Sequence, residues 1–212
     1  MLSLLLNGEV QVFITLLFAI VFSLTLHEYG HAKAAALLGD DTAARMGRLT
    51  LNPMAHIDLL GLLMVVTVGF GYAKSVPFNP RNMRKPWAGA AVAAAGPLMN
   101  LLLAIAAINL LAWAAKSGSL MLTEPSALAL GILAKINLLL MLFNLIPLGP
   151  LDGHYILSWW LPPRLGVHYD RFNLSYGARI FLGLIILSVL GVPVFRFLMT
   201  MSAGLIPYIT FI

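Results

Sequence analysis

The stretch Leu26-His27-Glu28-Tyr29-Gly30-His31 lies inside an apolar run from about residue 10 to residue 38. On a helix, side chains four positions apart stack on one face, so His27 and His31 can share one metal ion. Glu28 projects beside them, within reach of a metal-bound water whose proton it can take, the general-base part in metal-assisted hydrolysis. On a solvated helix the same spacing also arises without function. Here the setting decides. Ionisable groups are costly in hydrocarbon, and three of them within five residues of an apolar run demand a partner, for which a metal ion has the matching charge.

Composition agrees with that setting. Of 212 residues, 60% are apolar and only 10% charged, too little charge for a soluble surface. The chain is an integral membrane protein, with a length suited to one domain over residues 1–212. No Lys or Arg precedes Lys33, so the first apolar segment lacks the basic flank of a cleavable signal and is expected to stay as a membrane helix. The absence of Cys excludes a disulfide scaffold, a thiolate metal site and a thiol nucleophile. The net charge of +5 is spread over loops that flank apolar segments, without an aromatic-rich basic motif. It therefore points to topology and the lipid bilayer, not to nucleic acid.

Outward from the histidines, the pattern predicts an all-α polytopic membrane protein. Its core is three long helices at about 10–38, 87–115 and 126–148. Residues 42–58, with Arg45, Arg48 and Asn52-Pro53, read as a short strand or hairpin at the membrane surface. Residues 59–72 are apolar but short for a span, which fits a re-entrant segment. Residues 73–86 carry four basic residues among three prolines and read as extended chain. The third helix runs into Asn144-Leu145-Ile146-Pro147-Leu148-Gly149-Pro150-Leu151-Asp152-Gly153-His154, where Pro and Gly must break it. Broken backbone at membrane depth is tolerated where it lines a cavity. A fourth helix is expected at 174–190, then a fifth helix or kinked continuation at 194–212.

A catalytic zinc takes three protein ligands and an open position. Of the eight acidic residues, Glu9, Asp40, Asp41, Asp58, Glu124 and Asp170 sit in polar, terminal or surface stretches, and Glu28 has its role. Asp152, in the broken helix end, is the third ligand by elimination. His154 and His56 are competitors for that place. The assignment requires the ends of the first and third long helices to meet, which follows if 59–72 is re-entrant and only two crossings separate them. Lys33, Arg45, Arg48, Lys74, Arg81, Arg84 and Lys85 then share one face, cytoplasmic by the positive-inside rule.

These residues resemble the site-2 protease family of intramembrane zinc metalloproteases, peptidase family M50. The likeness is carried by His27-Glu28-Tyr29-Gly30-His31, Gly47-Arg48-Leu49-Thr50-Leu51-Asn52-Pro53, Pro77-Phe78-Asn79-Pro80, Ala95-Gly96-Pro97 with Asn100, and Asn144-Leu145-Ile146-Pro147 leading to Leu151-Asp152-Gly153. It is closest to the compact subgroup, since no stretch here is long and polar enough for a PDZ or CBS domain. The resemblance implies one Zn2+ per chain on His27, His31 and Asp152, Glu28 as base, Asn144 on the substrate carbonyl or developing oxyanion, and Asn100 as a supporting polar residue. A neutral Asn amide costs less to bury than Lys or Arg, which suits those roles. His154 departs from the family pattern, which more often has Gly there.

The function expected is hydrolysis of peptide bonds in transmembrane segments of single-span membrane proteins, in the bacterial inner membrane with the active site toward the cytoplasm. The alternative is a catalytically silent metal-binding membrane protein that holds such partners; Glu28, which metal binding does not need, speaks against it. A metal transporter would spread polar positions along its helices, whereas this chain gathers them at one depth.

Overall fold

A Pro-free apolar run makes α2, Val10–Leu37, which is preceded by a one-turn helix α1, Leu2–Leu6. The computed structural model describes residues 1–68, 71, 73–118 and 123–212. The helix stops where Gly39 takes a φ of 102°, a conformation open to a residue without Cβ. A single turn α3, Thr42–Arg45, follows. The strand or hairpin expected over 42–58 is not there: Asn52-Pro53 instead starts a 3-10 turn, Pro53–Ala55, in which the Asn52 side chain accepts from Met54 N. An Asn-Pro pair suits such a turn, because Pro fixes φ while Asn caps the backbone. Asn79-Pro80 repeats the device in the turn Pro80–Asn82, so the loop 73–86 is not extended throughout.

The apolar segment between those turns forms α4, Leu59–Val68; residues 69, 70 and 72 of the expected 59–72 stretch lie outside the described residues. Its two ends meet. Ile57 and Ala73 form an isolated antiparallel bridge, and Lys74 N donates to His56 O at 2.8 Å. The chain thus leaves and returns at one place, as a re-entrant segment does, and this bridge is all that remains of the expected β region among the described residues.

Helix α5, Ala88–Lys116, carries Pro97 in its interior; α6, Glu124–Asn144, begins with a capping box between Thr123 and Ser126. The third helix ends at Asn144, short of the expected 148, because Pro147 cannot continue it. Among the described residues, α2, α5 and α6 pack against one another. Ser23, Asn100 and Asn137 meet at one level, while farther along α2 His31 meets Val92 and shares a cavity lining with Asn144, so α5 runs antiparallel to α2 and α6 runs parallel to it. The C-terminal ends of α2 and α6 consequently lie on one face, with the start of α5 between them.

A short helix α7, Asp152–Trp160, starts at the candidate ligand. The fourth long helix begins earlier than expected, running as α8, Pro163–Phe172, through a π turn, Asn173–Gly177, into α9, Ala178–Val189. After a break at Gly191-Val192-Pro193, α10, Arg196–Ile209, packs on α5 and α6 through Ile209, Leu205 and Ile206 against Ala104, Leu138 and Met141. Four helices among the described residues are long and apolar enough to cross a membrane: Val10–Leu37, Ala88–Lys116, Glu124–Asn144 and Pro163–Val189. Their exposed faces carry Ile14, Phe18, Leu102, Leu110, Leu182 and Ile186. That is the pattern of side chains facing lipid.

Candidate metal centre

Helix α2 brings His27 and His31 to the face it buries against α5, and both are less than a tenth exposed. The approach is possible because position 96 of α5 has no side chain. A methyl group there would overlap His31 Nε2 and His27 Cε1. Pro97, next to it, has no N–H for the Ala93 carbonyl one turn earlier, and Ala93 lines the cavity in front of the histidines.

The Nδ1 atoms are spoken for. His31 Nδ1 is 2.7 Å from Val92 O, a carbonyl that can only accept, so this nitrogen carries the proton. His27 Nδ1 is 2.6 Å from Asn100 Oδ1. The Asn100 amide is oriented by its own nitrogen, which donates to Asn137 Oδ1 at 2.8 Å; Asn137 in turn donates to Ser23 Oγ at 2.8 Å. Asn100 therefore offers oxygen to His27, which donates. Both imidazoles are left with a bare Nε2 lone pair, the tautomer a metal ligand needs.

Those two lone pairs face each other and a carboxylate. His27 Nε2 lies 3.0 Å from His31 Nε2, and Asp152 Oδ2 lies 3.2 Å from the first and 3.4 Å from the second. Asp152 Oδ2 is buried with no hydrogen-bond partner. Three electron-rich atoms this close repel one another unless a cation stands among them. Ligand atoms held at about 2.0–2.1 Å from a tetrahedral zinc lie about 3.3 Å apart, so the donor set fits that ion. Among the described residues His27, His31 and Asp152 are the one group of His, Asp or Glu placed to hold a metal.

The candidate third ligand arrives by a tight turn. Asp152 opens α7, and a Cβ at position 153 would overlap the carbonyls of Leu145 and Ile146, so Gly153 lets α7 start directly against the end of α6. A cavity of about 170 Å³ opens beside the cluster, lined by His27, Glu28, His31, Asn144, Asp152 and Tyr155 among others. Glu28 is buried, and its Oε2 accepts from Val76 N at 3.0 Å. Asn144 donates through Nδ2 to Leu140 O at 2.9 Å while its side chain lines the same cavity. Burial, then the charges of Asp152 and Asp170, push the Tyr155 phenol up, which keeps it a protonated donor at the cavity mouth.

The structure thus brings five of the six candidate residues to the cavity or its cluster and places the sixth, Asn100, directly behind His27. It does not bring the competitors there. His56 is fully buried with Nε2 on Thr50 O at 2.8 Å, and His154 Nε2 faces Asp170 Oδ1 at 3.1 Å. Three residues escaped the sequence reading. Asn137 is one, detectable only as a polar residue in an apolar helix. Arg48, read there as a topology charge, is buried and donates to the carbonyls of Ala55, Lys74 and Ser75, which hangs the 74–76 segment over Glu28. Asp40, read as part of a polar stretch, is fully buried and accepts from Thr42 N at 3.1 Å, Thr42 Oγ1 and Asn79 N at 2.5 Å each, and Asn82 Nδ2 at 2.7 Å.

Comparison with known proteins adds kinship to this geometry. A model of peptidase family M50 matches residues 15–129. A Bacillus subtilis protein named "Putative zinc metalloprotease YwhC" is 41% identical over 175 residues, which are 81% of this chain and 80% of that protein. Proteins of the same description named Rip2 are 29% identical in Mycolicibacterium smegmatis and 30% in Mycobacterium tuberculosis, covering 73% and 72% of this chain and 60% of each relative. No solved structure gives a significant match. The family match takes in both histidines and the Gly96 helix but stops short of Asp152, which the geometry brings to the same cluster. On these grounds the chain belongs to peptidase family M50.

Proposed function

We propose that this chain is an intramembrane zinc metalloprotease that hydrolyses peptide bonds in transmembrane segments of single-span membrane proteins. The observation that carries the reading is that the Glu28 carboxylate opens on the same cavity as the His27, His31 and Asp152 ligand atoms, between helices whose outer faces suit lipid. His27, His31 and Asp152 would hold the zinc, which when bound would supply Lewis acidity to the scissile carbonyl and to a water. Glu28 takes the proton of the attacking water and passes it to the leaving amine. The second N–H of the Asn144 amide is available to the oxyanion that develops on the carbonyl. A helical substrate hides its carbonyls, so it must unwind to enter, and the extended backbone near residues 74–79 offers a strand-like edge against which it can lie. The positive-inside rule puts the basic face, and with it the site, on the cytoplasmic side of a bacterial inner membrane.

The test is zinc content and cleavage on the same detergent-purified protein. Wild type is expected to hold one zinc and to cut a single-span test substrate. His27→Ala and Asp152→Ala are expected to lose both. Glu28→Gln is expected to keep zinc and lose cleavage by about 100-fold or more. Cleavage by Glu28→Gln at the wild-type rate would sink the protease reading; zinc without cleavage in wild type would favour a silent metal-binding protein instead.

A further inference from the structure

Helix α8 and the π turn behind it touch the ligand-bearing loop at three points that the proposed chemistry does not use. Tyr169 donates its hydroxyl to Pro147 O at 2.5 Å, Asn173 Oδ1 accepts from Gly149 N at 2.8 Å, and Asp170 Oδ1 lies 3.1 Å from His154 Nε2. In sequence the three contacts bracket Asp152, two before it and one after. We infer that Tyr169, Asp170 and Asn173 are positioning residues, which hold the 147–154 loop so that the Asp152 carboxylate stays at the metal centre, and that the C-terminal helix thereby sets the zinc affinity. This rests on the metal site proposed above.

The loop needs such a clasp. Residues 145–151 are neither helix nor strand, and Pro147 and Pro150 have no N–H with which to anchor themselves. Ordinary turn bonds reach Leu148 and Leu151, but Gly149 N finds its partner in Asn173. Asn173 is itself buried and fixed, since its Nδ2 donates to Tyr169 O at 3.2 Å. Asn173 and Gly177, four positions apart on one face of the π turn, both lie against Gly149, and a Cβ at position 177 would crowd Gly149 O at 2.7 Å. His154, which departs from the family pattern, has its place here as the third point of the clasp and not as a ligand.

Outer groups that orient a metal ligand typically change affinity 10–100-fold. The full chain in detergent, loaded with zinc and titrated with a competing chelator, reads that affinity without any substrate, and thermal unfolding of the metal-free protein reports folding separately. Asn173→Ala is expected to weaken zinc about tenfold or more. Tyr169→Phe, which removes one hydroxyl from a partly exposed ring and leaves folding intact, is expected to weaken zinc in the same direction. Wild-type affinity in both Asn173→Ala and Tyr169→Phe overturns the clasp while leaving the metal site in place. A wild-type protein that binds no zinc overturns the clasp together with the reading it rests on.

Discussion

Position 96 shows how much of a metal site can depend on the absence of a side chain. Gly96 leaves the space that both imidazoles occupy, so Gly96→Ala must push them apart or push α5 away from α2. We expect that variant to lose about 1–3 kcal/mol in thermal unfolding, as overpacked sites do, and to bind zinc at least about tenfold more weakly. The His-Glu-x-x-His spacing made His27, Glu28 and His31 legible at once, because a single helix turn fixes their relation. Asp152 was legible only through elimination and broken-helix reasoning. Asn137 was not legible, since nothing in sequence says that its amide, besides bonding Leu133 O in its own helix, also meets Asn100 and Ser23 on the two neighbouring helices.

At the scale of elements, the end of α2 is tied to the loop before α5 by one carboxylate. Burial alone would raise the Asp40 pKa, but hydrogen bonds from Thr42, Asn79 and Asn82 outweigh it and hold the group at about 2, below its ordinary 3.8. A carboxyl with a depressed folded pKa contributes stability that is fully present above the unfolded value and is lost as pH falls through the folded one. Thermal unfolding in a nonionic detergent should therefore drop between pH 3.8 and about 2, and Asp40→Asn should be less stable at neutral pH and flatter across that window. Equal slopes for the two proteins would argue against this link. The long helices were readable from apolar runs and their Pro and Gly stops. The segment 42–58 was misread because Asn-Pro turns and a buried Arg48 imitate the polarity of an exposed hairpin.

For the whole molecule, the parallel course of α2 and α6 and the returning segment at Ile57 and Ala73 place the ends of both helices on one face. The chain has no Cys, so single substitutions can be labelled without background. Cysteines at Met46 and Arg84 should react with an impermeant reagent from one side of the membrane, and one at Ser117 from the other; Met46 and Arg84 labelling from opposite sides would undo the topology. One consequence of the split ligand set concerns time. His31 and Asp152 stand 121 positions apart (152 − 31), and synthesis runs from the N-terminus. At about 5–20 residues per second, the two histidines wait roughly 6–24 seconds for the carboxylate. On the proposed ligand set, a nascent chain therefore lacks a complete metal site until nearly three quarters of it has been made.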